Sequence, residues 1–246
     1  MTIKNILISQ RPPKAGSPYE GIAEKYGVHF DFVPFFSIEP LTSREFRAQR
    51  INILDYTAIV FSARSTIDAF FHLCDELRVK IPETMKYFCT SEAVAMYLQK
   101  HIVYRKRKIF YGDGSTASVL AQIGTKHKGE KFLVATSDAT NGDLTHIFEE
   151  NGFDFHSAMF VKSVSCDLKQ LSLQSYDMIV LYNPADVKSL YENFPDFRQD
   201  EIKFVSYGKS VVKAMTDAGL TIAISAPTET APSVAKALEL YLEQCR

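Results

Sequence analysis

The chain repeats itself at about half its length, and that restricts the fold more than any other feature. Tyr56–Phe70 (YTAIVFSARSTIDAF) aligns with Tyr176–Leu190 (YDMIVLYNPADVKSL). Glu92–Met96 then answers Ser210–Ala214, and Ser118–Leu120 answers Ser233–Ala235. The opening Ile6–Ser9, with Gly27 beyond it, likewise answers Phe132–Ala135 with Gly152. Buried strands share Ile and Val, so one match would carry little. Matches in one order, at similar offsets, favour duplication.

The repeated units alternate short apolar runs with amphipathic ones. Asn5–Ser9, Ala58–Phe61, Lys131–Ala135 and Met178–Leu181 read as strands buried on both faces. Thr66–Leu73 reads as a helix with Ile67, Phe70, Phe71 and Cys74 on one face. Leu144, Ile147 and Phe148 form a second such face, ended by Gly152 as C′ residue. This alternation predicts α/β architecture with parallel sheets. The chain's 246 residues suffice for two lobes. A cleft between two such lobes is a preferred place for a ligand. Candidate linkers are Phe35–Pro40 and Lys162–Asp167.

Several function classes are disfavoured. Net charge is −1, from 28 Lys+Arg and 29 Asp+Glu, so recognition of nucleic acid or membrane by bulk charge is not expected. No apolar run reaches the ~18 residues of a membrane span. The start turns polar by Gln10-Arg11, too soon for a signal peptide. Cys74, Cys89, Cys166 and Cys245 lie far apart, which suits free thiols in a reducing cytoplasm. The six histidines show no ligand spacing, so no metal is expected. Gly112-Asp113-Gly114 lacks a third glycine at dinucleotide-binding spacing, and no P-loop or GxSxG elbow occurs. The basic run Arg105–Lys108 reads as a solvated edge before a strand.

Ligands of open α/β sheets bind beyond the carboxyl ends of the strands. Here those ends are small and polar: Ser62–Thr66, Thr90–Glu92, Gly112–Thr116, Thr136–Thr140, Asn183–Asp186, Gly208–Ser210 and Pro227–Thr230. Each is expected to open a helix, whose free N–H groups and partial positive charge favour anions. N-capping accounts for Ser, Thr, Asp and Asn at any one of them. Cations stand nearby: Arg11, Lys14, Arg64, Lys188 and Lys209. Arg64, Lys188 and Lys209 are expected at or just inside helix starts, against the helix dipole, as though an anion arrives there.

The sequence resembles the uroporphyrinogen-III synthase family, in its Bacteroidetes-like branch. The resemblance covers nearly the whole chain. It rests on Ile6–Pro12, Ile59–Ser62, Phe88–Ala93, Ser163–Leu168, Ser189–Phe197, Tyr207–Ser210 and Ala226–Thr228. It implies two flavodoxin- or Rossmann-like parallel-sheet lobes on a two-stranded linker, one lobe discontinuous. Lobe one would be 1–36 plus 168–246, lobe two 40–162, with linkers at about 37–39 and 163–167. It also implies a cyclising lyase of heme biosynthesis. Such an enzyme closes hydroxymethylbilane with inversion of the last pyrrole and loss of water, without metal or organic cofactor.

In that chemistry, loss of the hydroxyl gives an azafulvene cation, and attack by the substituted carbon of the last ring gives a spiro intermediate that fragments and recloses. The enzyme's main task is to fold a flexible polyanion. Arg11, Ser62, Arg64, Ser65, Thr90, Ser91, Ser115, Thr116, Ser137, Asn183, Lys209, Ser210 and Thr228 are the expected substrate-binding residues. The family's linker tyrosine, a candidate acid for the leaving hydroxyl, falls on Val161, and valine donates no proton. The family's Ser-Pro-Ser-Gly-like turn reads Asn183–Asp186, and its Pro-Thr-Thr-like turn reads Lys209-Ser210-Val211. Tyr182 and Tyr207, at strand ends, are the stand-in weak acids. The expected partners are the substrate and, transiently, the preceding pathway enzyme; a cytoplasmic monomer is expected. Two rival readings remain open. One is a non-catalytic relative that holds a tetrapyrrole or other polycarboxylate. The other is a hinge-type solute-binding protein, which the missing signal peptide and free cysteines disfavour.

Overall fold

Runs apolar on every residue become strands covered on both faces, and the amphipathic runs between them become the covering helices. The computed structural model describes residues 3–138 and 143–245. In chain order the elements begin with β1 (Asn5–Ile8), α1 (Pro18–Tyr26), β2 (His29–Phe32), β3 (Phe36–Pro40) and α2 (Ser43–Ala48). Next come β4 (Ala58–Phe61), α3 (Arg64–Glu76), β5 (Lys86–Cys89), α4 (Glu92–Tyr97), β6 (Ile109–Tyr111) and α5 (Thr116–Ile123). β7 (Phe132–Ser137), α6 (Asp143–Glu150), β8 (Phe155–Ser165), β9 (Met178–Leu181) and α7 (Pro184–Asn193) follow. β10 (Lys203–Tyr207), α8 (Lys209–Asp217), β11 (Ile222–Ala226) and α9 (Val234–Gln244) complete the order.

Two compact units result, Met1–Ser37 with Val164–Arg246, and Ile38–Ser163. The first holds a sheet ordered β11-β10-β9-β1-β2; the other sheet is ordered β3-β8-β7-β4-β5-β6. The pairings of β1 with β2 and β9, and of β10 with β9 and β11, are parallel. So are those of β4 with β5 and β7, β5 with β6, and β7 with β8. The chain passes between units within β3 and β8, which neighbour each other. Cys166 N–H donates to the Phe35 carbonyl and Leu41 N–H to the Phe160 carbonyl, both at 2.9 Å, so these two strands run opposite ways.

The repeat becomes a shared strand order. β2-β1-β9-β10-β11 matches β8-β7-β4-β5-β6 place for place. The chain enters the two sheets at different points, so one is a circular permutation of the other. Each sheet is packed on both faces. Ile6 and Ile8 face a core with Val234 and Leu238, while Leu7 faces Leu190 and Met215. Ile59 and Phe61 face Ile67 and Phe70, while Val60 faces Val119 and Phe148. Phe71 and Ile147 are only half-buried, at the margins of the expected helix faces. Gly27 and Gly152 sit at φ 65° and 63° after their helices, the left-handed conformation that glycine adopts without a Cβ penalty.

Candidate active site

The carboxyl ends of each sheet's parallel strands lie along one edge, and each edge has a switch point. In the first unit it falls between β1 and β9, because β2 lies to one side and β10 and β11 to the other. In the second it falls between β4 and β7, with β5 and β6 to one side and β8 to the other. The chain leaves these strands through Ser9-Gln10-Arg11, Tyr182-Asn183, Ser62-Ala63-Arg64 and Asp138.

At the first switch point a carboxylate organises both strand ends. Asp186 is fully buried, and its Oδ2 accepts from Ser9 Oγ at 2.7 Å, Tyr182 N–H at 2.8 Å and Asn183 N–H at 2.9 Å. Asn183 Oδ1 accepts from Ala185 N–H at 2.9 Å, and with Asp186 it forms a capping box on α7. Asp186 Oδ1 is buried without a partner. Burial pushes the Asp186 carboxyl up to about 6, although Ser9 and the two N–H donors pull it down. Sequence reasoning passed over Asp186 and Ser9 as site residues. Asp at the third position of a helix is an ordinary capping signal, and nothing local marks Ser9 as its partner.

Tyr182 and Tyr207 stand at the ends of β9 and β10, their ring centroids 5.6 Å apart. The Tyr182 hydroxyl is 2.9 Å from that of Tyr19. Burial raises the pKa of Tyr182 strongly, as do the hydrogen bond to Tyr19 and the neighbouring phenols. It is therefore a poorer proton donor than an ordinary tyrosine, while Tyr207 is 38% exposed. Val161 lies on β8 in the apolar core of the second unit, 2% exposed.

At the second switch point, among the described residues, no carboxylate ties the ends of β4 and β7; Asp138, at the end of β7, accepts from Ser163 N–H at 2.7 Å and Ser163 Oγ at 2.6 Å instead. Ala63 precedes α3 and offers no side-chain cap. Thr66 Oγ1 donates back to the Ala63 carbonyl at 2.8 Å. Arg64 opens the helix, exposed, with its guanidinium 5.4 Å from the Tyr97 ring centroid. Tyr97 is in turn held by its hydroxyl, which donates to Asp68 Oδ2 at 2.6 Å. Ser65 is exposed beside Arg64. Thr90 Oγ1 donates to the Ser62 carbonyl at 3.4 Å, tying the ends of β4 and β5.

Lys209 repeats the Arg64 arrangement in the first unit. It opens α8 after Gly208, whose φ of 90° and missing side chain leave the helix start uncapped. Ser210 follows it, half-buried. Ser91 precedes α4 without a side-chain cap bond. Ser115 is differently engaged: its hydroxyl accepts from Ser118 N–H at 3.2 Å and donates to Asp113 Oδ1 at 2.7 Å. Thr116 begins α5 behind it. A Cβ on Gly112 would overlap Ser118 Oγ, so this loop needs glycine there. Arg11 is exposed beyond β1.

Several expectations are corrected. Thr228 does not open a helix. Its N–H donates to the Ala231 carbonyl at 2.9 Å, and its Oγ1 accepts from Ala231 N–H at 3.0 Å. Pro232 then disfavours helical backbone at Ala231, so α9 waits for the Ser233 cap. Lys188 lies in the second turn of α7 rather than at its start, exposed and 3.7 Å from Glu192. Ser137 is the last residue of β7, not a helix-opening residue. Ala139 and Thr140 of that turn lie outside the described residues. The basic run leads directly into β6, with Lys106 and Arg107 exposed. Two of the cavities that open within single units lie at the opposite, amino edges. One is lined by Ile81, Met85, Ile102 and Lys108, the other by Leu173, Phe194, Phe197 and Arg198.

Among the described residues no cluster of His, Cys, Asp or Glu is placed to hold a metal ion, and no helix is long and apolar enough to cross a membrane. The family profile described as "Uroporphyrinogen-III synthase HemD" matches residues 17–236. The chain belongs to the uroporphyrinogen-III synthase family. It is accordingly a cyclising lyase of tetrapyrrole biosynthesis, acting on the route to heme. The fold agrees with solved uroporphyrinogen-III synthases. One is from Helicobacter pylori, with TM-score 0.57, 15% identity, and cover of 98% of this chain and 100% of that one. Another is a mutant from Thermus thermophilus, with TM-score 0.53, 14% identity, and cover of 99% and 100%. A comparison with curated protein sequences gives no match. Low identity with nearly full cover means that the fold persists while most side chains differ.

Proposed function

We propose that this synthase works by positioning, and that the carboxyl edge of each sheet is suited to carboxylates of hydroxymethylbilane. The observation that carries this reading is the pairing of uncapped helix starts with cations. α3 and α8 lack a side-chain cap, and each begins with a basic residue, Arg64 or Lys209. A cation beside free N–H groups costs stability until an anion arrives. Acetate and propionate side chains supply such anions, and a charge-assisted bond to each contributes about 1.5–3 kcal/mol. Ser62, Ser65, Thr90, Ser91, Thr116, Asn183 and Ser210 line the same edges and complete the polar set.

Binding that orients the last ring places its substituted carbon, not the free one, against the azafulvene. The pyrrole nitrogen's own lone pair expels the hydroxyl, so a strong acid is not required. That accommodates Val161 at the linker position. Tyr207, at the exposed end of β10, is then the accessible phenol, whereas burial makes Tyr182 a poor donor. Four free cysteines support a reducing, cytoplasmic setting, and with it goes the proposal of a monomer that meets the preceding pathway enzyme only in passing.

Fresh hydroxymethylbilane supplied to the protein should give uroporphyrinogen III well above the enzyme-free control. Only the type I isomer, in wild type at neutral pH, would overturn the reading and leave a binding protein without the cyclase step.

A further inference from the structure

We propose that Asp186 is a positioning residue of the reaction: by accepting from Ser9, Tyr182 and Asn183 together, its carboxylate holds the first unit's switch point in the form that binds substrate, and its protonation releases that form. The inference rests on the proposed use of this edge for substrate carboxylates. The geometry is unusual for a helix cap. One oxygen of a fully buried side chain takes three donors from the ends of two neighbouring strands, β1 and β9. The other oxygen has no partner. A cap that served only α7 would bond to its own turn and have no need of Ser9.

The groups facing Asp186 explain why it can take a proton. β1 brings only the Ser9 hydroxyl. β9 brings Tyr182, whose phenol leads to Tyr19 of α1 and whose ring neighbours Tyr207 of β10. On α7 itself the charged side chains Lys188 and Glu192 are mostly exposed and close to each other. No ion pair to Asp186 occurs among the described residues, so its charge is held by three donors and the start of α7 alone. Burial therefore sets its titration near 6, within reach of working conditions.

Protonation relieves the cost of burying the charge, so the fold as a whole gains, but it leaves the carboxyl a weaker triple acceptor. The tie between β1 and β9 slackens, and the edge that presents Arg11, Asn183 and Lys209 loses its arrangement. The lost negative charge works the other way, toward tighter anion binding. Three donors and the start of α7 face that charge and stand between it and the edge, so the geometric effect prevails. In the second unit the matching residue is Thr66, which does not titrate, so this arrangement has no counterpart at that position.

The test is the pH dependence of KM for hydroxymethylbilane, with kcat measured alongside and the enzyme-free rate subtracted. KM should rise about three- to tenfold as pH falls through about 6, the size of one lost hydrogen bond, while kcat changes less. Asp186→Asn should show the raised KM at all pH values and no inflection. Ser9→Ala removes a donor to the carboxylate, so its inflection should move to higher pH. Carbon-13 NMR of the Asp186 carboxyl, in wild type, should titrate in the same range. An inflection that survives Asp186→Asn, or that Ser9→Ala leaves in place, overturns the proposal, as does an Asp186 carboxyl that shows no titration between pH 5 and 7. Isomer analysis at pH 7.5 is run in parallel. Loss of type III product in wild type would sink the functional reading, whereas the NMR titration and its shift in Ser9→Ala would still judge Asp186 on its own.

Discussion

The β9–α7 turn and the β4–α3 turn occupy the same place in two sheets of one strand order, yet they satisfy their polar groups in opposite ways. In the first, Asn183 and Asp186 consume the free N–H groups of the turn, and Asp186 reaches across to Ser9. In the second, Ala63 caps nothing and Arg64 stands exposed at the helix start. One helix start is completed by its own side chains, the other is left uncapped. The two sheets thus share their strand order, where burial tolerates little change, and differ at the edge, where a turn can be completed by its own side chains or left open.

The largest expected effect separates the two turns by stability. Asp186→Ala strands a hydroxyl and two N–H groups in a buried site and should cost about 3 kcal/mol, whereas Thr66→Ala loses one back-bond and should cost about 1 kcal/mol. Urea unfolding at pH 7.5 measures both, and equal losses would break the comparison. Next comes ligand binding: Arg64→Ala should raise KM about tenfold at low salt and much less at high salt, because an exposed charge is screened. A salt-independent change would mean that Arg64 acts through Tyr97 rather than on an anion.

A smaller effect sharpens the contrast by closing the open turn. Ala63→Asp supplies the missing cap and should stabilise the fold by about 0.5–1 kcal/mol. The same carboxylate would compete with substrate, so KM should rise about threefold or more, by the free energy of one such bond. A gain in stability with unchanged KM would place the anion elsewhere.

The smallest effects are opposed pH slopes from one buried titratable group in each unit. Asp186 is raised to about 6, so its share of stability is present below the ordinary carboxylate pKa and lost as pH climbs through about 6. His127 of the second unit is buried among Phe88 and Phe110 and lowered, chiefly by burial and by Lys86. Its share is present above the ordinary histidine range and lost as pH falls below it. Unfolding free energies from pH 4 to 8 should therefore flatten in opposite directions for Asp186→Asn and His127→Gln.

The apolar periodicity of the chain determined its class. Met178–Leu181 and Ala58–Phe61 are apolar at every position, which reads as inner strands of parallel sheets, and the half-length repeat favoured two related ones. Helix starts were legible wherever the cap is local, as at Asn183 and Ser115. The sequence could not show that Thr228 closes on Ala231 ahead of the next helix, or that Lys188 falls one turn too late. A difference of a few residues decides both, and hydrophobic pattern does not register it. Nor could it show that Ser9 meets Asp186. That contact joins residues far apart in the chain, and it exists only because β1 and β9 are neighbours in the sheet. Local periodicity is set by the solvent each residue must avoid. Which carboxylate is buried, what donates to it, and whether it holds a proton depend on surfaces that meet only once the strands are in order.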